Sequence, residues 1–117
     1  MAKNLGQVLS GFMNISGVSA VAVVGRDGFV IQSTATANVD MDALGAMVAT
    51  AIGTAESLGR EFGIGDLEQY LLEFKQGKII MAAAKNDILA IKTDTTAVIG
   101  AIRYAVRKHI DEVVAAL

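Results

Sequence analysis

Leu5, Val8, Leu9 and Phe12 recur at helical spacing within residues 3–15, with Asn4, Gln7, Ser10 and Asn14 on the opposite side. This predicts an amphipathic first helix that stops near Ser16-Gly17. The period then changes. Residues 18–24 are β-branched or small throughout, Gly25-Arg26-Asp27-Gly28 has turn chemistry, and residues 29–33 are again apolar and extended, the pattern of a β-hairpin. A polar run at 34–38 leads to Asp40, an N-cap for a long helix over 41–62. After Gly63-Ile64-Gly65, runs at 67–74, 78–84 and 88–93 are separated by Gln76-Gly77 and Lys85-Asn86-Asp87, which predicts three strands joined by short hairpins. Asp94-Thr95-Thr96 offers a cap, and Val98, Ile99, Ile102, Val106, Ile110, Val113 and Leu117 follow at helical spacing. The order is α-β-β-α-β-β-β-α with no linker or repeat. Residues 1–117 are therefore expected to form a single α/β sandwich with a five-stranded, mostly antiparallel sheet.

The second helix carries the most information. Stepped at about 100° per residue, Met41, Leu44, Val48, Ala51, Ile52, Ala55, Leu58 and Phe62 share one arc, which is expected to face the sheet. Beside it, Gly45, Ala49 and Gly53 form a row with almost no side chain. Glycine inside a helix costs about 1 kcal/mol relative to alanine, so close approach of another backbone is expected to offset it. That backbone belongs either to a second helix or to the same subunit. The strand at 67–74 sets Leu67 and Leu71 on one face and Tyr70, Leu72 and Phe74 on the other, so it needs a cover or a pairing partner. One two-fold contact joining this strand and the second helix to their symmetry mates satisfies both. The interface residues expected from this are Gly45, Ala49, Gly53, Leu67, Gln69, Leu71 and Glu73.

Composition supports a covered surface. Of 117 residues 53% are hydrophobic, more than a small solvated monomer usually needs, so a membrane or a partner is expected to take up the excess. Residues 4–25 carry no charge, yet Asn4, Gln7, Ser10, Asn14, Ser16 and Ser19 interrupt them too often for a membrane span or a signal core. No membrane insertion is expected, and the location is expected to be cytoplasmic. Ten Lys and Arg against twelve Asp and Glu create no field favouring nucleic acid.

Chemistry is scarce. With no cysteine there are no disulfides, thiolate nucleophiles or thiolate metal sites. His109 has no nucleophile motif beside it and reads as a partly exposed helix residue. Asp40 and Asp42 suit a helix start, and Glu68 and Glu73 fall on opposite faces of a regular strand. Neither a phosphate-loop nor a dinucleotide motif occurs. Arg26 in a turn and Arg107, spaced to pair with Asp111, read as solvated charges. No catalytic residue, cofactor or metal is expected.

Gly17-Val18-Ser19-Ala20-Val21-Ala22-Val23-Val24 followed by Arg26-Asp27-Gly28-Phe29-Val30-Ile31-Gln32-Ser33 resembles the strand-turn-strand opening of the Roadblock/dynein light chain domain family. The runs at 67–74, 78–84 and 88–91 are similar to that family's three-strand meander. The resemblance covers nearly the whole chain. It implies strands in spatial order 2-1-5-4-3, the long helix on one side, the terminal helices on the other, and a dimer made by the third strand and second helix. It also implies a Ras-like small GTPase as partner, or membership of a GTPase-regulating or motor complex. A bacterial branch, the gliding-motility regulators, stimulates GTP hydrolysis without an arginine finger, so Arg60 is assigned no such role.

The expected function is a homodimeric regulator or adaptor whose outward second-helix residues Thr50, Thr54, Ser57, Arg60 and Glu61 meet the GTPase. The alternative is a structural scaffold subunit with no direct GTPase contact. An enzyme with a pocket between sheet and helix is disfavoured by the lack of convergent polar residues.

Overall fold

The computed structural model describes residues 2–36 and 38–117; Ala37, within the polar run at 34–38, lies outside the described residues. The elements are α1 (Leu5–Met13), β1 (Val18–Val24), β2 (Val30–Ala35), α2 (Met41–Glu61), β3 (Gln69–Phe74), β4 (Gly77–Ala84), β5 (Asp87–Thr93) and α3 (Ile99–Ala116). The five strands form one sheet in the order β2-β1-β5-β4-β3. Every pairing is antiparallel. This is the order the family resemblance implied, with β2 and β3 as the two edges.

Each face of the sheet has its own core. Leu5, Val8, Leu9 and Phe12 of α1 and Ile102, Val106 and Val113 of α3 bury against Val21, Val23, Ile80, Leu89 and Ile91. On the other face, Val48 and Ile52 of α2 bury against Ala22, Val24, Met81, Ile88 and Ala90. Alternation along β1 and β5 delivers side chains to both, so these central strands are apolar at almost every position. Ala22 and Ala90 form a low floor beneath Val48 and Ile52. Burying Ile52 fully contributes about 1.5–3 kcal/mol.

The helix ends follow local chemistry. Asn4 and Gln7 form a reciprocal capping box on α1. Asp40 caps α2 by accepting from the Ala43 N–H at 3.1 Å. At the far end of α2, Gly63 turns into the left-handed region (φ 63°), its N–H donating to Arg60 O and the Ile64 N–H to Gly59 O. That double closure stops the helix where the Gly63-Ile64-Gly65 run sits.

Three local expectations are corrected. Asp94 does not cap α3: it accepts from the Thr96 N–H (2.8 Å) and Oγ1 (2.6 Å) in a tight turn, and α3 starts later, behind Val98, without a side-chain cap. Leu67 lies before β3 and packs with Tyr70 and Leu72 on the α2 side, so strand parity does not pair it with Leu71. Leu58 and Phe62, placed on the sheet-facing arc, are 57% and 70% exposed because the last turns of α2 overhang the sheet.

The Asp94 carboxyl is held below the ordinary carboxylate range, first by the Thr96 hydroxyl and then by the Thr96 N–H. A lowered folded-state value stabilises above the unfolded value, and that stabilisation is lost as pH falls through the folded one. Asp94→Asn should therefore lower the urea midpoint at neutral pH, with the difference from wild type closing in acid; NMR titration of Asp94 supplies the midpoint.

Candidate protein–protein interface

The two flanks of α2 have opposite characters. A Cβ on buried Gly45 would collide with the Gly28 carbonyl oxygen and crowd Val30 Cγ2 at 3.1 Å, so this glycine is needed where the β1–β2 turn crosses the helix. Glu56, on the same flank, pairs with Arg26 of that turn, whose Nε also donates to Asn86 O at 3.1 Å. Arg26 is thus a strap between α2 and two hairpin turns and not a free solvated charge. The small-residue row Gly45-Ala49-Gly53 begins against the chain's own hairpin, the same-subunit alternative. Only toward Gly53, with open space where a Cβ would stand, does it reach the surface.

Two residues on from Gly45 and Glu56, about 160° around the helix, lie Met47 and Leu58. Met47 is 73% exposed. Together with Ala51 and Thr54 they make a stripe at spacing 47, 51, 54 and 58, the seam pattern of a helix that pairs with another helix. Leu58 shares a cleft with Ile64, Leu67 and Gln69, so this flank turns toward the segment entering β3. There Tyr70, Leu72 and Ile79 pack against the α2-side core but stay partly open, and Phe74 is 57% exposed. The uncovered apolar surface runs from α2 to a free strand edge. Hydropathy periodicity missed Met47, and the 47-51-54-58 spacing could have found it.

The other candidate residues divide by position. Gln69, Leu71 and Glu73 alternate along β3 on the face opposite Tyr70 and Leu72. Leu71 and Glu73 are exposed, while Gln69 is half-buried and donates from Nε2 to Arg103 O at 3.3 Å. Thr50, Thr54, Ser57, Arg60 and Glu61 are all exposed on α2. The three hydroxyls turn inward: Thr50 Oγ1 donates to Ala46 O, Thr54 Oγ1 to Thr50 O and Ser57 Oγ to Gly53 O, at 2.9–3.1 Å. Arg60 Nη2 in turn donates to Ser57 Oγ. This face presents methyls, small residues and two long charged side chains.

Elsewhere, among the described residues, the titratable side chains stand apart but for one pair. His109 is half-buried, its Nδ1 3.3 Å from Glu112 Oε2 and its ring edge-on to Phe12. Arg107 makes no ion pair with Asp111 among the described residues, contrary to expectation. Among those residues no group of three His, Cys, Asp or Glu is placed to hold a metal, and no helix is long and apolar enough to cross a membrane.

A five-stranded antiparallel sheet in this order, flanked by one long helix and a pair of terminal ones, defines a small α/β domain with the Roadblock arrangement. The chain belongs to the Roadblock/LC7 domain family, whose model matches residues 5–93. An uncharacterized protein of Methanocaldococcus jannaschii is 37% identical over 107 residues, which are 92% of this chain and 91% of that protein. Among solved structures, Myxococcus xanthus MglB superposes with a TM-score of 0.87 at 18% identity, covering 95% of this chain and 92% of MglB. A structure described as MglB with tetrameric arrangement gives 0.88 at 16% identity, covering 96% of this chain and 86% of its own. At these identities the likeness to MglB is one of fold.

The glycines of α2 should respond oppositely to alanine. Gly45→Ala is expected to lower unfolding free energy by about 1–3 kcal/mol through overpacking, and Gly53→Ala to raise it by about 1 kcal/mol through helix propensity. Urea denaturation of both variants checks this.

Proposed function

We propose that the chain is a homodimeric regulator or adaptor of a Ras-like small GTPase. The observation that carries the dimer is the uncovered apolar surface from Met47 and Leu58 of α2 to Tyr70, Leu72 and Phe74 at the free edge of β3. Monomers rarely leave such a surface beside an unpaired strand. A two-fold axis beside β3 joins the sheets and brings the two Met47-Ala51-Thr54-Leu58 stripes together. In this reading β3, with Gln69, Leu71 and Glu73, supplies the strand contact, Leu67 borders it, and the outer part of the Ala49-Gly53 row stays free on the opposite flank. The tetrameric arrangement of MglB supports self-assembly on this fold.

The partner class follows from the family resemblance. The paired α2 helices form a platform of Thr50, Ser57, Arg60 and Glu61, with Thr54 at the border between platform and seam. Its action is conformational: the dimer binds the GTP-bound form selectively and repositions the GTPase's own switch residues, with no covalent chemistry from this chain. The inward-turned hydroxyls suit a partner that packs closely, since their donors are already satisfied.

Met47→Glu with Leu58→Glu should convert the dimer to a folded monomer in sedimentation, because both side chains are exposed in the protomer; an unchanged mass would remove this flank from the interface. Thr50→Lys with Ser57→Lys should weaken binding of a GTP-loaded Ras-like GTPase from the same genome by about tenfold or more while the dimer persists. Single-turnover GTP hydrolysis with and without the protein separates the activities: acceleration identifies a stimulator, and binding at an unchanged rate identifies an adaptor.

A further inference from the structure

Beside β3, a cleft of about 420 Å³ lies between the end of α2, the segment entering β3 and α3. Arg103 and Arg107, one turn apart on α3, line it, and among the described residues neither has a carboxylate within ion-pair distance. In its wall, Gln69 spends its Nε2 on Arg103 O, which fixes the amide so that Oε1 is buried without a donor. A buried carbonyl oxygen without a donor is destabilising by about the desolvation cost of the group. Asp66 and Glu68 also line the cleft, but among the described residues neither reaches ion-pair distance of either arginine, so both guanidiniums stay without a carboxylate partner and Gln69 Oε1 without a donor.

Both needs are met from one place on a second copy. Glu73 lies on the same face of β3 as Gln69 and is exposed; within the protomer it sits across from Lys78 of β4 without an ion pair among the described residues. When two β3 strands pair about an axis perpendicular to the sheet, one residue falls on the axis and the residues opposite one another share a face. With Leu71 on the axis, Leu71 meets the partner's Leu71, Tyr70 meets the partner's Leu72, and Gln69 meets the partner's Glu73. With Tyr70 there, Leu72 would face the partner's Glu68; with Leu72 there, Leu71 would face the partner's Glu73. An axis at Glu73 would set the two Glu73 carboxylates against each other, and of the three registers centred on 70, 71 and 72 only that centred on Leu71 keeps every carboxylate away from a leucine and sets Glu73 of one copy beside Gln69 and the arginines of the other.

We propose, building on the dimer reading above, that two copies join β3 to β3 in the register centred on Leu71, with Arg103 bridging its own Gln69 Oε1 and the partner's Glu73. A guanidinium has five N–H donors in a fixed fork and serves both acceptors at once. Arg107 adds positive charge one turn away. The two-fold axis repeats the arrangement, so each dimer holds it twice, and the charge pair selects a register that apolar contact alone leaves loose.

The chain has no native cysteine, so single cysteines report register directly. Tyr70→Cys, Leu71→Cys and Leu72→Cys are oxidised separately and their disulfide-linked dimers compared, with the mass of each unoxidised variant measured alongside. Leu71→Cys is expected to link at least tenfold faster than the others, because only a residue on the axis stands within disulfide range of its own copy. Fastest linking at 70 or 72 overturns the register but leaves the dimer, as does a dimer that links at none of the three. A monomeric wild type overturns the dimer reading itself. Glu73→Arg and Arg103→Glu should each weaken the dimer roughly fivefold at low salt, and their combination should recover most of the loss. Equal, unrecovered losses overturn the bridge.

Discussion

A single helix has to cover one whole face of a five-stranded sheet. Strands about 4.8 Å apart make that face roughly 24 Å across, whereas one helix with its side chains is about 10–12 Å wide. On the other face two helices, α1 and α3, share the work and bury the larger of the two clusters. On the α2 face the core closes over β1 and β5 and thins toward β3, where Tyr70, Leu72 and Ile79 are only partly covered. The apolar excess of the composition is the residue-level trace of this shortage of cover. The overhanging turns of α2, the free edge of β3 and the cleft beside α3 all lie at the thin side of the same layer.

Periodicity made the elements and most of the core legible, because it registers whether a residue faces inward. Leu5, Val8, Leu9 and Phe12 could be assigned to a buried stripe from spacing alone, and they are buried. What spacing does not carry is which neighbour lies on each side of a helix. The row Gly45-Ala49-Gly53 was visible, but its meaning depended on Gly28, seventeen residues away, arriving beneath Gly45. Spacing therefore left unread which flank of α2 packs on its own hairpin and which keeps Met47 and Leu58 exposed. Leu67 misled for a related reason: strand parity holds only within the strand, and β3 begins two residues later. Asp94 had the composition of a cap but closes a turn of its own before α3 starts.

The outward face of α2 looks polar in sequence and is less so in space. Thr50, Thr54 and Ser57 direct their hydroxyl hydrogens to carbonyls one turn back. What the face presents outward is a shallow relief of methyl groups and backbone, with Arg60 and Glu61 as the long charged groups at its end. Such a surface rewards shape more than hydrogen bonding.

The alanines under α2 bear on how such a protein can change over generations. Ala22 and Ala90 are already the smallest chiral side chains, and they set the height at which Val48 and Ile52 rest. Any replacement there other than glycine adds volume, and added volume lifts the helix. Inheritance of the interior and inheritance of the outward surface of α2 are therefore tied, so a lineage that alters this floor also shifts the position of the helix above it.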